Sequence, residues 1–247
     1  MKKIFNGIHI TYRYHIGSNE KNVLLLHGWG GSLNSFKQLE DSLIAQNFSV
    51  LTMDFPGFGG SDLPHEDWDL DDYVKVAYEL INHEKISKIS LVCHSFGGRV
   101  GIMLASQFPN LIEKLILVDS AGIKPRFSLK KSIKVTHYKF LKQLKKIGLI
   151  KKDLSNYGSE DYRAMPNELK AVFNKIVCKD LSKQSKQIIC STLIIWGRDD
   201  EDTPYYMAKK LNRNIKDSAI ITFKGGHFAY LSEANKFVII VSQFLLN

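Results

Sequence analysis

Short unbroken runs of apolar residues alternate along this chain with stretches whose apolar positions recur at helical spacing. The runs at 23–26, 50–53, 89–93, 115–118, 193–196 and 219–223 carry no polar interruption beyond a single threonine or serine. That is the pattern of strands buried on both faces. Between them, helical periodicity predicts helices over 35–46, 70–83, 98–108, 204–211 and 233–246. Strand and helix in alternation predict an α/β fold, a doubly wound and mostly parallel sheet. At the N-terminus, residues 8–14 alternate like an edge strand after an Asn6-Gly7 turn, which predicts a hairpin with residues 3–5.

One stretch breaks the rhythm. Residues 124–188 separate two predicted strands by far more than one crossover needs, with Ile133, Phe140, Leu141, Leu144 and Ile147 on one amphipathic stripe. A long insertion in a compact domain is usually a lid or a binding face. The expected organisation is a core domain made of 1–123 and 189–247, with 124–188 inserted as a helical cap.

Composition narrows the class. A chain of 247 residues that is 44% hydrophobic can bury a full core as one domain. No stretch approaches the about 18 apolar residues of a membrane span, and the first residues lack the apolar run of a signal peptide. A soluble, unexported protein is expected. Cys93, Cys178 and Cys190 are odd in number and lack the spacing of a zinc site or redox pair, which fits a reducing cytoplasm and no metal.

The net charge of +9 is unevenly placed. Residues 124–152 hold eleven Lys/Arg and no Asp or Glu, more than the whole net charge, so the remainder of the chain is slightly acidic. A general nucleic-acid surface is therefore not expected. The basic segment has two readings: a solvated outer face of the cap, or a docking face for an anionic membrane surface or an acidic substrate.

Three polar residues stand where strands end. Ser95 follows the run at 89–93 and precedes a helical pattern, in "VCHSFGG". Asp200 lies in "WGRDDEDTP" after the run at 193–196, and His227 in "GGHF" after 219–223. A serine hydroxyl attacks a carbonyl at neutral pH only with an adjacent base, a group that orients the base, and donors for the developing negative oxygen. Serine, acid and histidine at the ends of parallel strands can supply the first two.

The sequence resembles the α/β-hydrolases nearly end to end. The resemblance is carried by "LLLHGWGGSLNSF" (24–36), "DFPGFGGSD" (54–62), "VCHSFGGRV" (92–100), and "LIIWGRDDEDTP" (193–204) with "GGHFAYLSE" (225–233), in this order and spacing. It implies Ser95 as nucleophile, His227 as general base and Asp200 as orienting acid. It also implies an oxyanion hole from the backbone N–H groups of Trp29 and Phe96, and no cofactor. Cys93 departs from the pattern, standing where the G-x-S-x-G turn has its first glycine. A small side chain there should still let the turn form, and a thiol packed under a helix is expected to be buried and inert rather than the nucleophile.

Several neighbours compete for roles. Asp199, Glu201 and Asp202 crowd Asp200, and Asp119 also ends a strand, although a helix or turn cap is the expected role for it. His27 and His94 flank key positions and are expected to bond backbone. "GFGG" at 57–60 lacks the spacing of a dinucleotide loop and fits a tight turn. The expected activity is hydrolysis of a small to medium carboxylic ester through an acyl-enzyme, with Phe127, Tyr138 and Phe140 of the cap lining the pocket. The alternatives are a carbon–carbon bond hydrolase of a β-diketone-like acid, a thioesterase, and a non-catalytic binding protein on the same scaffold.

Overall fold

The computed structural model describes residues 1–125 and 165–247. Strands β1 (Lys2–Phe5) and β2 (Ile8–His15) form the predicted hairpin, with Phe5 opposite Ile8. Asn6 and Gly7 take φ of 45° and 84°, the left-handed pair that a two-residue turn needs to match the strand twist. The remaining strands are β3 (Asn22–Leu26), β4 (Ser49–Met53), β5 (Ile89–His94), β6 (Ile112–Val118), β7 (Ser191–Gly197) and β8 (Ser218–Phe223). They form one sheet in the order β1-β2-β4-β3-β5-β6-β7-β8, antiparallel as far as β4 and parallel beyond it.

Two details differ from the sequence pattern. Strand β2 is not an edge: it lies between β1 and β4, and its alternation arises because Ile8, Ile10 and Tyr12 face the core while His9 is exposed. Strand β8, expected to be buried on both faces, is the far edge, with Ala219 exposed and Ile220 and Ile221 only half-buried. An apolar run reports hydrophobic side chains, not how many neighbours a strand has.

The helices cover both faces. On one side, α1 (Lys37–Ala45) and α8 (Ala234–Leu246), which follows the short α7 (Ala229–Ser232), bury Leu39, Leu43, Phe237 and Val241 against Val23, Leu25 and Val92. On the other, α2 (Leu70–His83), α3 (Phe96–Gln107) and α6 (Tyr206–Asn214) bury Tyr73, Leu80, Val100, Leu104 and Leu211 against Leu24, Leu26 and Leu91. Successive strand residues thus feed opposite cores. Helix α2 starts sharply because the Asp69 carboxylate accepts the Asp71 N–H at 2.7 Å while the Asp72 carboxylate accepts the Asp69 N–H at 2.9 Å.

Between β6 and β7, the described residues form α4 (Asn167–Val177) and the short α5 (Ser182–Ser185). The returning chain is tied to the departing one: Leu181 N–H donates to Gly122 O at 2.7 Å, and Lys124 N–H to Asp180 Oδ1 at 3.1 Å. The amphipathic stripe from Ile133 to Ile147 and the aromatic residues Phe127, Tyr138 and Phe140 lie outside the described residues. Among the described residues, no helix is long and apolar enough to cross a membrane.

Packing also accounts for Cys93. Its side chain is fully buried, and a Cβ placed on Gly101 would lie 2.5 Å from its Sγ. The strand–helix approach therefore tolerates a thiol at 93 because α3 has no side chain at 101. Gly101→Ala should destabilise the protein by about 1–3 kcal/mol through overpacking. In a Cys93→Gly background the same change should become neutral or favourable, since alanine is the better helix former by about 1 kcal/mol. Urea denaturation of the four proteins checks this; strictly additive effects would mean that the thiol and residue 101 do not compete for space.

Candidate active site

Ser95 sits between β5 and α3 with φ 48° and ψ −110°, a backbone conformation that L residues rarely adopt. Its N–H donates to Val118 O at 3.0 Å, and its carbonyl accepts from Gly98 N–H at 3.0 Å and Ala121 N–H at 2.9 Å. A Cβ on Gly97 would strike Leu26 O, and one on Gly98 would strike Ser120 Oγ. The two glycines let the first turn of α3 lie directly against the ends of β3 and β6.

His227, in the loop after β8, places Nε2 2.8 Å from Ser95 Oγ and Nδ1 2.9 Å from Asp200 Oδ2. With Nδ1–H donating to the carboxylate, Nε2 is left to accept from the serine hydroxyl. Asp200 comes from the loop after β7 and is buried. Its Oδ1 accepts the N–H groups of Asp202 and Thr203, both at 2.9 Å, and Thr203 Oγ1 lies 2.6 Å from Oδ2. Burial pushes this carboxyl up, but the hydrogen bonds from His227 and Thr203 outweigh it and hold its pKa below the usual 3.8. The four crowded acids are thus separated by geometry: Asp200 points inward while Asp199, Glu201 and Asp202 are exposed or half out in solvent. Thr203, which locks the carboxylate in place, was not singled out from sequence; its signal is a hydroxyl three residues after the acid in a tight loop.

Trp29 and Phe96 flank the serine. A Cβ on Gly28 would lie 3.2 Å from Ser95 Cβ and 2.6 Å from His94 Nδ1, so only glycine lets the loop after β3 come this close. Among the described residues, no acceptor takes the backbone N–H of Trp29 or Phe96. The Phe96 N–H also opens α3, at the positive end of the helix.

His27 and His94 bond backbone, as expected. His27 Nδ1 donates to Gly28 O at 2.7 Å and Nε2 accepts the Phe55 N–H at 3.0 Å; burial lowers its pKa to about 4. His94 Nε2 donates to His227 O at 3.0 Å, and burial, then the neighbouring His227, lower its pKa to about 3. Both rings are neutral struts. The glycine loop at 57–60 wraps the Asp54 carboxylate, which accepts the N–H groups of Leu33 at 2.7 Å and Gly60 at 2.9 Å. It forms a tight turn whose Phe58 packs edge-on to Trp29.

Asp119 differs from the expectation of a helix or turn cap. It has φ 42°, is almost wholly buried, and its Oδ1 accepts the Gly197 N–H at 2.7 Å. It therefore fastens the end of β6 to the end of β7, where the Asp200 loop begins. Its other oxygen has no partner among the described residues. Burial, and secondarily Asp200 beside it, raise its pKa to about 8.

A cavity of about 330 Å³ opens on the serine, walled by Trp29, Phe96, Arg99, Phe173, Ile176 and Phe228 among others. Arg99 is buried, donates to Lys179 O at 2.7 Å and Val177 O at 3.0 Å, and pairs with no carboxylate among the described residues. Burial lowers its pKa to about 10, leaving it a cation. Asp200, Asp202 and His227 bring ligand atoms within 4.8 Å of one another, a possible cation seat. The first and last of these are already committed to each other and to Ser95 by hydrogen bonds.

A buried acid, a histidine and a strained serine thus meet at the C-terminal ends of a parallel sheet. The model of the alpha/beta hydrolase family matches residues 23–239, and the chain belongs to that family. A stretch of 120 residues is 33% identical to an uncharacterized protein of Mycobacterium tuberculosis, covering 48% of this chain and 35% of that protein. This chain thus spans about a third of the length of the first curated relatives it matches. Over 263 residues it is 25% identical to the 2-hydroxy-6-oxononadienedioate/2-hydroxy-6-oxononatrienedioate hydrolase of Escherichia coli, covering 95% and 91% of the two chains. Its fold is similar to that of an esterase from Exiguobacterium antarcticum, with TM-score 0.77 and 23% identity over 98% and 97% of the chains.

Asp119 generates a pH prediction. Folded, it keeps its proton up to pH about 8; unfolded, it releases it near the ordinary 3.8. The protonated carboxyl therefore favours folding fully below 3.8, and this contribution is lost as pH rises towards 8. Asp119→Asn, which cannot titrate, should gain stability relative to the parent across that window. Urea denaturation of both proteins at the two ends of the window measures it; a difference that does not change with pH would place the carboxyl's titration elsewhere.

Proposed function

We propose that the protein hydrolyses carboxylic esters of small to medium size through an acyl-enzyme. The observation that carries this reading is the continuous line from Ser95 Oγ through the two nitrogens of His227 to Asp200, with contacts of 2.8 Å and 2.9 Å. His227 Nε2 takes the hydroxyl proton as Ser95 attacks the carbonyl, and the anionic Asp200 stabilises the imidazolium that forms. The N–H groups of Trp29 and Phe96, the oxyanion hole of this reading, hold the tetrahedral oxygen. His227 returns the proton to the leaving alcohol, then deprotonates the water that attacks the acyl-enzyme. No step calls for a metal or an organic cofactor. Residues 124–188 act as a cap: Phe173 and Ile176 of α4 supply part of the apolar wall that receives the substrate. The three unpaired cysteines fit a reducing compartment such as the cytoplasm.

A second reading, hydrolysis of a carbon–carbon bond in a β-diketone-like acid, is favoured by one feature. Among the described residues, Arg99 brings a buried cation with no carboxylate partner to the cavity wall, and the Trp29 indole N–H there is buried with no acceptor. Such donors suit a substrate that carries its own carboxylate or keto oxygen. The relative in Escherichia coli, named for oxo-dioate substrates, is in keeping with this.

The decisive experiment is turnover of p-nitrophenyl esters of increasing chain length, beside acyl thioesters and a diketone acid. Ser95→Ala should lower kcat/KM by at least about 1,000-fold and Asp200→Asn by a comparable factor, whereas Cys93→Ala should keep most activity. A fluorophosphonate probe should label Ser95 in the parent. A folded protein whose serine stays unlabelled would favour a binding module instead, and faster turnover of the diketone acid than of every ester would favour the second reading.

A further inference from the structure

We propose that the groove between the chain leaving β6 and the exposed face of α6 is a binding site for clustered phosphate groups, separate from the Ser95 cavity. The groove encloses about 230 Å³ and is lined by Ile123, Lys124, Tyr206, Lys209, Lys210 and Arg213. Four of these six are cations, and none is an acid. Tyr206, Lys209, Lys210 and Arg213 stand at i, i+3, i+4 and i+7, so a single face of α6 presents three of the charges. Lys124 supplies the fourth from the opposite wall. The helix is fixed by its other face, where Met207, Ala208 and Leu211 are buried.

Ordinary solvation does not account for this face. Three other helices pair surface lysines with acids: Lys37 with Asp41 on α1, Lys75 with Glu79 on α2, and Lys236 of α8 with Glu233 just before it. Helix α6 has no acid anywhere in its length, and Lys124, Lys209, Lys210 and Arg213 enter no ion pair among the described residues. Like charges at i and i+4, as at Lys209 and Arg213, weaken a helix rather than support it. The C-terminal dipole of α6 favours Arg213, in its last turn, but not Lys209 or Lys210 in the turn before.

Two groups nearby hold charge or protons. Asp180 accepts the Lys124 N–H at 3.1 Å and the Ser182 hydroxyl at 2.8 Å and feels Lys210, while Lys209 Nζ lies 5.1 Å over the Tyr205 ring. One carboxylate against four cations leaves the groove strongly positive. Ammonium groups and a guanidinium fork converging on a concavity suit oxyanions with several charges in a small volume, hence phosphate groups rather than a lone carboxylate. Lys124 also opens the run of eleven basic residues at 124–152, whose members beyond 125 lie outside the described residues.

The test is calorimetric titration of the full chain with sodium tripolyphosphate at low ionic strength, beside flotation with phosphatidylcholine vesicles containing phosphatidylinositol 4,5-bisphosphate. The triple variant Lys209→Ala, Lys210→Ala, Arg213→Ala should weaken binding to whichever probe is bound by on the order of 100-fold. The variant with Lys209→Arg and Lys210→Arg should retain it. Melting temperature should not fall and p-nitrophenyl ester turnover should be unchanged in both, which separates lost binding from lost folding. Binding of tripolyphosphate assigns a soluble phosphate ligand; binding of vesicles alone assigns a lipid headgroup. The proposal is overturned if the parent binds neither probe, or if the triple variant binds as tightly as the parent.

Discussion

Everything at the site depends on one residue held in a conformation it would not choose. Ser95 has positive φ without being glycine, and a residue in such a region costs on the order of 1–3 kcal/mol. Three backbone hydrogen bonds, to Val118 and from Gly98 and Ala121, offset that cost by fixing the turn from both sides. The strain is what lifts Oγ clear of the sheet and points it at His227. It also forces the surroundings to be small. Gly28, Gly97, Gly98 and Gly101 each leave room where a Cβ would collide with a neighbour, and the space at Gly101 is filled by the thiol of Cys93. The missing first glycine of the turn is thus compensated eight residues later, on the helix that follows.

The electrostatics follow from burial sorted by hydrogen bonding. Asp200 and Asp119 lie side by side at the ends of adjacent strands, and both are almost wholly buried. Asp200 receives bonds from two backbone amides, a hydroxyl and an imidazole, and so remains an anion. Asp119 receives one amide and keeps its proton to about pH 8. Two adjacent carboxylates would repel if both were charged. The arrangement keeps one charge, on the oxygen that faces His227, and uses the other carboxyl to hold the loop in place. His27 and His94 follow the same logic: buried and neutral, they bond the backbone of neighbouring loops, and His227 is the ring in line with Ser95 among the described residues.

The segment between β6 and β7 connects the site to the rest of the surface. Arg99 reaches from α3 to the carbonyls at the end of α4, so the helix that carries the serine also holds the returning chain. The wall of the cavity and the anchoring of the returning chain are then one structure. Just beyond, the same strand end leads into the basic groove, so two different surfaces grow from the last residues of β6.

Much of this was legible in the sequence. Unbroken apolar runs mark buried parallel strands because such strands touch helices on both faces, and Ser95, Asp200 and His227 each follow one of those runs. A polar residue at the end of an apolar run is conspicuous in any sequence. Which strand lies at the edge was not legible: β2 and β8 exchanged the expected roles because neighbours are set by topology, while a run of side chains records only hydrophobicity. Nor could the sequence show that Thr203 fixes the Asp200 carboxylate, that Asp119 fastens β6 to β7, or that Cys93 pairs with Gly101. Those assignments depend on contacts of about 3 Å that only the folded chain makes, such as Gly197 N–H to Asp119 Oδ1 and Thr203 Oγ1 to Asp200 Oδ2. The chain alone determined the elements and the chemical groups at their ends; only the packed sheet decided which of those groups meet, because hydrogen bonding and overlap act through space rather than along the backbone.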